Sequence, residues 1–170
     1  MNKSVWAVLA MTAFSAVAGS AAADVRYLAF DADDRTTQSL TRGITLEIER
    51  GLFGATRVRG LYSTTSRGSA NFRPQSVSGV QDVVPSEDRG GSVYAIVPEG
   101  DGRALGRALC PGSEEAWLVV GRVRSGRPLT IHAVGHWPDG KKRHCVALKY
   151  RYRGEWAGLP NSPSDMPSDR

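Results

Sequence analysis

The chain has 170 residues, 22 of them basic and 17 acidic, for a formal charge of +5. That length holds one ordinary domain with a real core. The mild positive balance permits anionic partners without demanding them, and no apolar run reaches the length of a membrane-spanning helix.

Residues 1–23 read as a signal peptide. Lys3 gives a positive start, Val5 to Gly19 runs apolar, and Ala21-Ala22-Ala23 before Asp24 has the small-residue pattern of a cleavage site. The mature chain is therefore expected to begin at Asp24 as a soluble periplasmic or secreted protein. With Lys3 the only charge removed, its net charge would be +4.

Short runs rich in Val, Ile, Thr and Tyr follow, punctuated by 19 Gly and 9 Pro. That pattern predicts an all-β fold: one antiparallel barrel or sandwich of seven or eight strands over residues 24–158. Val25–Asp31 is a first strand. Asp31-Ala32-Asp33-Asp34 reads as a turn, since it lacks the Gly and Glu of a calcium loop. Ile44–Glu49 alternates cleanly, with Ile44, Leu46 and Ile48 on one face. Pairing Ile48 with Val58 of a strand Thr56–Tyr62 sets Glu49 against Arg57, Glu47 against Arg59 and Ile44 against Tyr62. Leu52 and Phe53 then sit at a hairpin tip. Tips are normally polar, so this pair either folds back or contacts a partner.

Arg73 to Gly91 reads as a long surface loop, Ser92–Val97 as a strand stopped by Pro98, and Gly102–Leu109 as one or two helical turns. Ala116–Arg124, Pro128–Trp137 and Arg143–Arg153 are three consecutive antiparallel strands. Their expected inner face carries Trp117, Val119, Val123, Leu129, Ile131, Val146, Leu148 and Tyr150. The other face ends in Arg122, Arg124, Lys149, Arg151 and Arg153, with no acid among them. Guanidinium groups on a rigid sheet repel one another unless an anion or another segment's carboxylates lie between them. These five are the candidate anion-binding residues. Leu159 onward, rich in Pro, Ser and Asp, reads as a disordered tail.

Cys110 and Cys145 are expected to pair, as cysteines of exported chains usually do. His132, His136, His144 and Cys145 invite a metal reading, but His132 and His136 lie roughly 13 Å apart along a strand. The expected register sets His144 on the opposite face, so no metal site is predicted. No catalytic or cofactor motif is present: G-x-S-x-G, H-E-x-x-H and the P-loop are all missing. The expectation is a non-enzymatic binding or accessory protein that meets an anionic ligand or an envelope partner. The alternatives are an assembly role through protein contacts, or an enzyme of unfamiliar type. A histidine hydrogen-bonded to Asp, Glu or Ser in a cleft would favour the enzyme.

Overall fold

The computed structural model describes residues 24–51, 56–63, 65 and 69–157. The expected signal peptide, Leu52 and Phe53, and the tail expected from Leu159 lie outside these residues. The strands are β1 (Asp24–Ala32), β2 (Gly43–Arg50), β3 (Thr56–Ser63), β4 (Ser69–Pro74), β5 (Ser92–Ile96), β6 (Glu115–Val120), β7 (Leu129–His136) and β8 (Lys142–Ala157). Each pairs antiparallel with its sequence neighbour, and β8 pairs with β1 to close an up-and-down barrel. Closure leaves no free sheet edge.

Eight strands enclose a space that side chains alone can fill. Here Leu28, Phe30, Leu46, Ile131, Leu148 and Tyr150 are among those filling it, each 1 % exposed or less. The β1–β2 register sets Leu28 opposite Leu46 and Phe30 opposite Ile44. The alternation of β2 produces this directly, because one face of a strand is read every second residue.

In the β2–β3 pair, Ile48 meets Val58 and Glu49 meets Arg57, as the sequence implies. A bulge between Glu47 and Ile48 then shifts the rest: Gly60 lies opposite Glu47, Leu61 opposite Leu46, and Ser63 opposite Ile44. The expected Ile44–Tyr62 pairing is thereby corrected. An extra residue exchanges the faces of everything beyond it. Leu61 enters the core, while Tyr62 stays 38 % exposed. Its hydroxyl donates to Glu47 Oε2 at 2.6 Å, and that bond, aided by burial, pushes its pKa up to about 12. Arg59 Nε still reaches Glu47 Oε1 at 3.9 Å.

The two α-helices among the described residues follow strands that end on the same side of the barrel. The first, α1 (Arg35–Leu40), follows the Asp31–Asp34 stretch and has no counterpart among the elements expected from the sequence. It is short and polar, so it has no apolar period to reveal it. Asp34 starts it, its carboxylate accepting from Thr37 N–H at 2.7 Å, which holds the carboxyl below its usual range. Thr37 Oγ1 in turn accepts from Lys149 N–H at 2.9 Å, so a side chain extends the β1–β8 ladder where β1 stops. Thr41 Oγ1 lies 2.9 Å from the Tyr150 hydroxyl, which gives that buried group a partner.

The second helix, α2 (Gly102–Leu109), has the predicted bounds. Its Leu105 and Leu109 join the barrel core. Cys110, at its C-terminal end, forms the expected disulfide with Cys145. The helices thus cover one end of the barrel. The opposite end carries residue 51, segment 75–91 and loop 121–128.

Strand β6 corrects the largest sequence expectation. Leu118 and Val120 point into the barrel, not Trp117 and Val119. The run Trp117-Leu118-Val119-Val120 is apolar on both faces, so period 2 cannot choose between them. Both faces are in fact buried. Trp117 and Val119 form a second cluster with Val134, Val80 and Val84. Val80 and Val84 belong to segment 75–91, which contains two 3₁₀ turns, Gln81–Val83 and Ser86–Asp88. The expected surface loop is therefore a docked outer layer.

Candidate functional site

The five candidate cations fall in two separate places. Arg151, on the outer face of β8, has its Nε 3.0 Å from Asp33 Oδ1, and Arg153 Nη1 lies 3.4 Å from Asp31 Oδ1. Barrel closure causes this, because Asp31 lies directly opposite Arg151 in the β1–β8 ladder. Lys149, also exposed, contributes a nearby positive charge to Asp34. This part of the basic face is interleaved with the Asp31–Asp34 carboxylates. All of these pairs are solvent-exposed and contribute little to stability.

Arg122 and Arg124 lie beyond the end of β6, in loop 121–128, and neither has an acidic partner among the described residues. They line a groove of about 480 Å³ at the end of the barrel opposite the helices. Its apolar lining comes from Val58, Tyr94 and Val120, and its polar lining includes Thr56, Ser92 and Ser125. Tyr94 is 3 % exposed and its hydroxyl accepts from Val58 N–H at 3.1 Å, so the strands under the groove are cross-braced.

Arg50 is a third guanidinium in this groove, and nothing in its local sequence singles it out. Its Nη2 lies 3.1 Å from Glu155 Oε1 and donates to Ser125 Oγ at 3.0 Å. Ser125 Oγ also donates to Glu155 Oε2. Arg50, Ser125 and Glu155 therefore fasten loop 121–128 to the ends of β2 and β8. Arg122 and Arg124 flank the groove from a loop that is held in place. Chemically the groove offers two uncompensated planar donors, suited to the paired oxygens of a carboxylate, phosphate or sulfonate.

The histidines are arranged differently from the sequence expectation. A bulge at Cys145 sets Val134 opposite His144 and Ala133 opposite Val146. His144 thus shares the outer face with His132, and Cys145 turns towards Cys110. His132 Nδ1 lies 2.9 Å from His144 Nε2, and His132 Nε2 lies 2.9 Å from Asp88 Oδ2. Burial, followed by the nearby His132, lowers the pKa of His144. His136 is separate, with Nδ1 4.0 Å from Glu114 Oε2. The hydrogen bond between His132 and a carboxylate meets half of the condition set for an enzyme. The other half, a cleft, does not accompany it: His132 is 3 % exposed beneath segment 75–91. No group of three His, Cys, Asp or Glu among the described residues is placed to hold a metal ion.

No protein-family model, curated protein or solved structure matches this chain. No described helix is long and apolar enough to cross a membrane.

Proposed function

We propose that this is an exported, non-enzymatic binding protein whose groove beside Arg122 and Arg124 holds an anionic ligand. One observation carries the reading. Of the four candidate arginines, these two have no carboxylate partner among the described residues, and they line the same groove. Arg151 and Arg153, by contrast, have Asp33 and Asp31. A solvated arginine costs nothing, but two beside one concave site raise the local anion concentration. Arg50 adds a third positive group, partly offset by Glu155. The ligand suggested by this lining carries an anionic group with paired oxygens.

The test compares two double variants with the same change in net charge. Arg122→Glu with Arg124→Glu should abolish retention of the mature chain on a sulfonate column at low salt. Arg151→Glu with Arg153→Glu should leave most of it. Equal loss in both variants would mean that overall charge alone governs retention, and the groove reading would fail. Retention should also fall steeply with ionic strength, as exposed charges are screened.

A further inference from the structure

Segment 75–91 is knit together internally. Arg89 donates from Nε to Val84 O at 3.1 Å and from Nη2 to Asp82 O at 3.1 Å, and Gln81 Nε2 donates to Gly91 O at 2.8 Å. It rests on the barrel through Val80 and Val84. Two side-chain hydrogen bonds tie it down: Trp117 Nε1 donating to Gln75 Oε1 at 3.2 Å, and the Asp88–His132 contact. Gly91 packs so tightly on β6 that an added Cβ would lie 2.8 Å from Val120 O. Its neighbours Gly90 and Ser92 line the arginine groove. The seat of the segment and one side of the groove are therefore a single short stretch of chain.

We propose that Asp88, His132 and His144 form an acid-sensitive latch that keeps this segment seated and so holds that side of the groove in place. The consequence for binding rests on the groove reading above; the latch itself does not.

The chemistry follows from the donors available. With Asp88 ionised, His132 Nε2–H donates to the carboxylate. His132 Nδ1 then accepts, and His144 Nε2–H donates to it. One extra proton can be carried on the pair, because Asp88 balances it. A second makes both rings imidazolium, and the 2.9 Å contact becomes two donors of like charge facing each other. Protonating Asp88 removes the acceptor at the other end.

The surrounding charges do not substitute for this chain. Glu87 and Arg89 flank Asp88, with Arg89 spent on the segment's own carbonyls. Asp82 lies in the first 3₁₀ turn. On β8, Lys142 sits over the Trp117 ring at 5.8 Å, and Arg143 pairs with Asp139. On β7, His136 is directed at Glu114. The sign is settled by His144. Its pKa in the seated form lies below the ordinary 6.5, so the unseated form binds protons more readily. Latch stability is then complete above that value and declines as pH falls below it.

The experiment has two readouts on the mature chain, at pH 7.5 and pH 5. Amide hydrogen exchange, corrected for intrinsic rates, should show protection of residues 80–91 falling by about tenfold or more at pH 5, with β1 and β2 unchanged. His144→Gln keeps a non-titrating donor facing His132 and should abolish that change. Protection that is independent of pH, or equally dependent in His144→Gln, would overturn the latch. The second readout is affinity for benzenesulfonate, whose charge, like that of arginine, is constant over this range. Added positive charge alone would tighten binding in acid; unseating the segment should weaken it by about fivefold or more in the wild type only. If exchange responds as expected but affinity is flat or rises, the coupling to the groove is wrong. If benzenesulfonate fails to bind at either pH, the groove reading fails and the exchange result alone decides the latch.

Discussion

Removing the Cys110–Cys145 bond should lower the stability of the folded chain by roughly 4 kcal/mol, from the loop entropy that the bond denies the unfolded state. The two residues are 35 apart in sequence, and the closed loop includes β6, β7 and the start of β8. The bond also fixes the end of α2 to the bulge in β8, where the barrel is covered by a helix of only eight residues. Urea unfolding of the Cys110→Ala, Cys145→Ala double variant is the direct measurement. A loss below about 1 kcal/mol would mean that β8 and α2 are held by packing alone. Exchange protection in α2 should fall before protection in β1 and β2.

Leu118→Ala should cost about 2–5 kcal/mol, the range for deleting a buried leucine side chain from a tightly packed interior. Leu118 is fully buried among the barrel side chains. The value discriminates between two arrangements of β6. If the strand turned Trp117 and Val119 inward, Leu118 would share the outer face with Arg122 and its truncation would cost little. Val119→Ala supplies the contrast. Val119 is equally buried, but against segment 75–91, so its loss should loosen that segment more than the barrel. The readout is a shifted urea midpoint at unchanged slope for Leu118→Ala, together with exchange protection in residues 80–91 for Val119→Ala.

These two results concern features of unequal visibility in the sequence. The strands β2, β7 and β8 could be read because one face is apolar and the other polar, so period 2 fixes which side is buried. The same logic fails for β6, whose apolar run serves two cores. It fails again at the bulges near Arg59 and Cys145, since one extra residue reverses the faces and leaves no compositional mark. That reversal moved Tyr62 out of the core, and it set His144 against His132. The pairing of Arg151 with Asp33 was invisible for a different reason: it depends on β8 closing onto β1, more than a hundred residues earlier. Asp88 looked like part of a polar loop because the valines that seat segment 75–91, chiefly Val80 and Val84, are too few among Ser, Gly, Gln and Asp to mark a buried element. Arg122 and Arg124 were legible as charges. That they lie apart from Arg151 and Arg153 follows from β6 ending at Val120, where loop 121–128 begins.

The most direct measurement is a two-dimensional amide NMR titration of the mature chain with benzenesulfonate at low salt. Saturable shifts should gather at Ser92, Gly121, Arg122, Val123, Arg124 and Ser125, with the side-chain Nε–H signals of Arg122 and Arg124 moving and those of Arg151 and Arg153 still. Shifts centred on β8 near Arg151 and Arg153, or linear drifts spread over every exposed arginine, would contradict a ligand site at this end of the barrel.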